Sequence, residues 1–258
     1  MFGYIKNFIK YRSLLEELTA RDVKIKYKHS VLGVLWTLLN PLLMMLVLSA
    51  VFSNLFRFDI ENFSLYILSG QVIFNFFNDA TTNAMTAIVG NAALIKKVYV
   101  PKYMFVLSRV ISSFINLLAS FAALIIVMLI TRAELHWTVL LSFVPMLLVV
   151  FMALGIGLIL STVTVKFRDM MHLYSVLMTV LLYLTPVIYP LSILPEWLYD
   201  WVMLNPLTVV LTMFRDLMLY DTMFSIETLG IAFAETVVFM VLGICVFHKK
   251  QDEFILNL

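Results

Sequence analysis

Long apolar runs separated by short charged segments organise this chain. Crossing about 30 Å of hydrocarbon takes roughly 20 apolar residues in a helix. Six runs approach or exceed that length: residues 32–56, 65–88, 104–130, 138–165, 173–188 and 226–247. The pattern predicts an all-α integral membrane protein with six transmembrane helices, built as one transmembrane domain over 1–258. No polar stretch between the runs is long enough to fold alone.

Two segments depart from the plain span pattern. Residues 1–31 mix Leu14, Leu15 and Leu18 with many basic positions, as in an amphipathic helix lying in the membrane interface. Within it Val23, Ile25 and Tyr27 alternate with Lys24, Lys26 and Lys28, a period of two that suits a strand in water. Beside a membrane, snorkelling lysines favour the helix. Residues 189–225 are apolar and aromatic, but Pro190, Pro195 and Pro206 interrupt them, just after Pro186. Broken helices at membrane depth need protein or water to satisfy their freed backbone groups. This segment is therefore predicted to form short re-entrant helices at the outer face, anchored at headgroup level by Trp197, Tyr199 and Trp201.

Composition agrees with lipid as the solvent. The chain is 62% hydrophobic and 13% charged, with a mean hydropathy of +0.99, against about 45–50% apolar and about 25% charged in a soluble domain. Net charge is only +2, which gives no footprint for nucleic acid. Placement of the charges matters more than their sum. Lys6, Lys10, Arg12, Arg21, Lys24, Lys26, Lys28, Lys96, Lys97, Lys102, Lys166, Arg168, Lys249 and Lys250 fall on one side of the predicted spans, and Arg57, Arg132 and Arg215 on the other. Basic loops stay cytoplasmic, so both termini are expected there. No cleavable signal sequence is expected in MFGYIKNFIKYRS. The single cysteine, Cys245, excludes an intramolecular disulfide.

The chemistry visible in the residues is sparse. No GxxxxGK[ST] loop is present to cradle a nucleotide, so no enzyme activity and no resident cofactor are expected, and any ATP and Mg would be held by a partner. The histidines (His29, His136, His172, His248) lack zinc-site spacing. Asp79, Arg109 and Glu235 are the ionisable groups inside spans, which makes each a functional candidate. Asn75, Asp79, Thr82 and Thr86 recur along one face of the second span, either for interhelical hydrogen bonds or for a water-filled path. Ala153, Gly157 and Ser161 form a small-residue face for close packing. The loops NAALIKKVYVPKY and VKFRDMMH set apolar side chains among basic ones, either as retention signals or as docking elements anchored by Leu94, Ile95 and Val98.

Four ordered stretches carry a resemblance: ARDVKIKYKHSVLGVLWTLLNPLL, VKFRD after the fourth span, LTPVIYP at the end of the fifth and the following NPLTVVLTMFRDLML. Together they resemble the membrane subunits of bacterial polysaccharide ABC exporters, the type-2 exporters of O-antigen, teichoic acid and capsule. The resemblance implies a multi-pass permease of the bacterial inner membrane. It would act as a homodimer with two copies of a cytoplasmic ABC ATPase and move a lipid-linked or long glycan outward. It further implies that the first and fifth spans line the channel, with Trp36, Asn40, Tyr174, Tyr183 and Tyr189 as candidate lining residues. Residues 92–101 and 166–170 would couple to the ATPase through Leu94, Ile95, Lys96, Lys97, Val98, Arg168 and Asp169. The outer gate would include Trp197, Tyr199, Trp201, Asn205 and Arg215. Three alternatives remain at this point: a drug or lipid ABC permease, a proton-coupled secondary transporter, which would need paired intramembrane carboxylates, and a membrane glycosyltransferase using Glu196, Asp200 and Asp216.

Overall fold

The computed structural model describes residues 10–258 apart from 29, 31, 34, 57–59 and 61, and among these every regular element is helical. Helix α1 (Arg12–Tyr27) settles the choice left open for its second half in favour of a helix. Leu15 and Leu18 are buried on its inner side against the rest of the chain, while Lys24 and Lys26 in its last turn oppose the negative end of the helix dipole. The part of the expected interfacial helix at residues 1–9 lies outside the described residues.

The helices that follow fall on the six apolar runs, with α7 and α8 on the proline-broken segment between the last two. They are α2 (Leu35–Phe56), α3 (Phe63–Met85), α4 (Tyr103–Ile130), α5 (Phe143–Lys166), α6 (Met170–Leu184), α7 (Glu196–Met203), α8 (Pro206–Leu219) and α9 (Ile226–Lys250). Single turns Ala87–Gly90 and Ala92–Ile95 link α3 to α4, and a 3-10 turn, Trp137–Ser142, leads into α5. By length and apolarity three helices qualify to cross a membrane, Tyr103–Ile130, Trp137–Lys166 and Ile226–Leu256. The pair α7–α8, bent by 89°, would make a fourth as one broken span. Leu35–Val51 and Met170–Leu184 are shorter apolar helices. Helix α3 is long enough, but its polar positions keep it out of that apolar set.

Helix α3 is the hub, packing against α2, α4, α5, α6 and α8. One side of it, including Phe74, Phe77, Ala80 and Ala84, is almost fully buried. The small-residue face of α5 is buried as expected, and it points at α3: a Cβ on Gly157 would come within 2.6 Å of Ala84 Cβ. A second close approach sits on the opposite side of α5. There a Cβ on Gly155 would lie 2.5 Å from the Phe239 carbonyl oxygen, and one on Gly243 would lie 2.2 Å from the Gly155 carbonyl oxygen. Helices α5 and α9 thus touch backbone to backbone, which only small residues permit.

Three expected boundaries shift for local reasons. The first run begins as helix only at Leu35, after Gly33 at a φ of +51° has turned the chain. The second ends at Met85, three residues early, where the Thr86 hydroxyl bonds back to the Asn83 carbonyl. The fifth ends at Leu184 rather than 188, because the residue before a proline is driven out of the helical region and Thr185 precedes Pro186.

Candidate translocation wall and docking loop

The break after α6 leaves carbonyl groups that a continuous helix would have used. Side chains from other elements take them. The Arg215 guanidinium on α8 is buried and donates to the carbonyls of Pro186, Val187 (2.9 Å) and Tyr66 (3.0 Å). It also stacks 3.5 Å from the centroid of the Tyr66 ring. The Tyr66 hydroxyl donates to the Tyr189 carbonyl at 3.0 Å. Asn205 Nδ2 donates to Thr185 Oγ1 at 2.8 Å, while its Oδ1 caps α8 by accepting from the Leu207 amide. Gly70 makes room, since a Cβ there would stand 2.7 Å from Arg215 Nη2 and 2.9 Å from the Val187 oxygen.

A polar face runs down the open side of α3. Asn75 and Thr82 are exposed, and Asn78 and Asp79 are half-buried. Hydrocarbon is a poor neighbour for such a face, so it must meet water or protein. Of the stripe expected from the sequence, Asn75 and Asp79 line one cavity and Thr82, joined by Asn78, lines another, while Thr86 lies past the end of α3. On one side a cavity of about 190 Å³ lies between α2, α3 and α4, where Asn40, Gln71, Asn75 and Asn116 converge beside Trp36. On the other a cavity of about 300 Å³ lies between α3 and α6, with Asn78 and Thr82 facing Ser175 and Thr179. The outward side of α6 carries Leu173, Val176, Leu177, Val180 and Tyr183, all exposed.

Two of the three intramembrane charges, Asp79 and Arg109, have partners that spacing did not reveal. Asp79 Oδ2 lies 3.2 Å from Lys26 Nζ of α1. Arg109 lies 3.3 Å from Asp22 Oδ2, whose other oxygen meets Arg21 Nη2 at 3.0 Å. Arg21 Nη2 also donates to Asn91 Oδ1 at 3.0 Å, and Asn91 precedes the turn Ala92–Ile95. Helix α1 is therefore tied at one end of the bundle to α3, to α4 and to the loop between them. Glu235 has an oxygen buried without a hydrogen-bond partner among the described residues and is not paired with Asp79.

The expected site residues separate into groups. Trp36 and Asn40 are exposed on α2 at the first cavity, and Tyr183 is exposed on α6. Tyr189 is half-buried, its hydroxyl donating to the Tyr183 carbonyl at 2.7 Å. Tyr174 packs against α3 with its hydroxyl donating to Thr81 Oγ1 at 2.6 Å, and it lines the cavity between α3 and α6 from the inner side of its helix. In the docking loop Ile95 is buried in a cluster with Leu18 and Phe105, and Leu94 packs beside it, so neither stands free as an anchor. Lys96, Lys97, Val98, Arg168 and Asp169 are exposed. Tyr99, which lies within the same loop and is not among the expected coupling residues, is 93% exposed, and Phe167 also projects. Trp197, Tyr199 and Trp201 are exposed on α7, whereas Asn205 and Arg215 are structural contacts of the broken segment. Glu196 and Asp200 line one shallow opening, without Asp216.

Known proteins with similar sequences match across nearly the whole chain. The O-antigen export system permease protein RfbA of Klebsiella pneumoniae is 28% identical over 244 residues, covering 93% of each chain. The protein of the same name from Myxococcus xanthus is 29% identical over 256 residues, covering 98% of each. The polysialic acid transport protein KpsM of Escherichia coli is 22% identical over 247 residues, covering 93% of this chain and 95% of its own. The family described as ABC-2 type transporter matches residues 13–219, and the chain belongs to that family.

Proposed function

We propose that this chain is the channel-forming permease subunit of an ATP-driven exporter that moves a long or lipid-linked polysaccharide out of the cytoplasm. The observation that carries the reading is the polar face of α3, open between α2 and α6, within a chain otherwise made for lipid. Relatives named for O-antigen and polysialic acid transport supply the substrate class. A glycan offers hydroxyls and apolar ring faces. Asn75, Asn78 and Thr82 can exchange hydrogen bonds with the former, and Trp36 and Tyr183 can stack on the latter.

In this reading six spans cross the membrane with both termini inside, and α7–α8 folds back at the outer mouth. Two copies pair through the uncovered apolar faces of α2 and α6, so that two polar faces enclose one path. The exposed group Lys96, Lys97, Val98 and Tyr99, with Phe167 and Arg168, docks on a separate ATPase, which holds the ATP and Mg. Interfaces draw their affinity from a few aromatic and apolar anchors, and Val98 and Tyr99 are the exposed anchors of this loop.

Co-purification from the native host tests this. A separate ATPase subunit should accompany the tagged chain and be lost from the Val98→Asp, Tyr99→Asp variant, which should still accumulate in the membrane because both side chains are outside the core. The isolated chain should hydrolyse no ATP. A clean oligomer with no ATPase bound would contradict the exporter reading and return Asp79 and Glu235 to consideration as proton carriers.

A further inference from the structure

The cavity between α2, α3 and α4 contains more hydrogen-bonding capacity than helix packing needs. Four carboxamides, Asn40, Gln71, Asn75 and Asn116, reach it from three helices. Gln71 is only 5% exposed, and its Oε1 is buried without a hydrogen-bond partner among the described residues. An orphaned buried acceptor of this kind costs about 1–3 kcal/mol, so the site is built for an occupant that can donate to it. Lipid tails cannot. The cavity of about 190 Å³ holds the liquid volume of about six waters at roughly 30 Å³ each, which is also room for one hydroxyl-bearing ring. The carboxamides of Asn40, Gln71 and Asn75 each present a donor and an acceptor side by side, which matches two neighbouring hydroxyls. Trp36 adds an aromatic ring for the apolar face of a sugar. Lys26 and Asp79 are paired at 3.2 Å and neutralise each other at the rim, so a neutral ligand fits better than a free phosphate.

We propose that this cavity is a sugar-binding subsite beside the path, taking one neutral, hydroxyl-rich residue of the moving glycan, with Gln71 as its deepest contact. The proposal rests on the exporter reading and adds a place where the chain pauses. Cells that make their own glycan test both in the assembled exporter. A diazirine amino acid is introduced at Ser120, which lines this cavity, or at Thr82, which lines the other one. After irradiation, glycan attached to the permease is read by periodate labelling. Adducts are expected at both positions. Gln71→Leu should lower the Ser120 adduct about fivefold, the change expected of one lost hydrogen bond, and leave the Thr82 adduct unchanged. Gln71→Met serves in its place should the leucine variant fail to accumulate.

An adduct at Thr82 without one at Ser120 overturns the subsite and leaves the exporter reading intact. A Ser120 adduct indifferent to Gln71 removes the assigned recognition and overturns the proposal as stated. Absence of adducts at both positions, while glycan still reaches the surface, overturns the placement of the path along α3 and the subsite with it.

Discussion

Arg215 shows how a single residue can hold a broken span. It is buried with carbonyl oxygens and a tyrosine ring around it, so its worth lies in the forked geometry of its donors rather than in ion pairing. Lysine keeps the charge but cannot reach Pro186, Val187 and Tyr66 together. Arg215→Lys should therefore destabilise the purified protein by about 3 kcal/mol, since each carbonyl left unsatisfied costs about 1–3 kcal/mol. Gly70→Ala should produce a similar loss by displacing the guanidinium, and the double variant should fall well short of the sum, because both changes break one cluster. Thermal unfolding in detergent measures all three. At this scale the sequence placed Arg215 only among the outer-side basic residues and, by resemblance, at the outer gate. Its partners were hidden because two are the Pro186 and Val187 carbonyls, free only where α6 has ended, and the others, the Tyr66 carbonyl and ring, lie on the distant α3. The burial of Ile95 was hidden in a different way: apolar runs show which residues are in spans, whereas the direction each side chain faces depends on neighbouring helices.

At the scale of elements, two contacts define the bundle. Helices α5 and α9 meet at Gly155 and Gly243 with no space for a side chain. Gly155→Leu should force α9 away and cost about 1–3 kcal/mol, the range for overpacking, with unfolding in detergent as the measure. The mirror-like position Gly157, facing Ala84, was legible as part of a small-residue stripe. Gly155 was not, because nothing in α5 indicates that a second helix approaches from its other side. The second contact joins α1 to the bundle. Asp22 has a side chain only 2% exposed, set between Arg21 and Arg109, and Asp22→Asn removes the charge that both arginines face. Loss of such charge-assisted contacts costs about 1.5–3 kcal/mol. Hydrogen exchange of α1 amides should then accelerate while α5 and α9 keep their protection. Equal acceleration throughout would mean that Asp22 supports the whole bundle rather than the attachment of α1. The sequence made α1 legible as an amphipathic helix, and it named Asp79 and Arg109 as exceptional. Pairing them with Lys26 and Asp22 requires knowing that α1 lies across α3 and α4.

For the whole molecule, the chain reads as a lipid-embedded bundle with one polar face left open and one loop left projecting. The all-helical class followed from the length of the apolar runs, and the polar stripe on α3 followed from helical spacing. Its division between two cavities depended on where α2 and α6 pack. The account predicts that making the stripe apolar, with Asn75→Leu and Thr82→Leu together, slows export about tenfold or more, as two lost hydrogen-bonding groups of about 1 kcal/mol each would, without lowering the amount of protein in the membrane. The most direct measurement follows the glycan itself. In a host lacking this chain, surface polysaccharide and cytoplasmic lipid-linked polysaccharide are quantified together, and the intact chain or the stripe variant is then restored. Loss of surface glycan with accumulation inside, reversed by the intact chain and poorly by the variant, is the predicted result. Surface glycan unchanged in the absence of the chain would contradict the account.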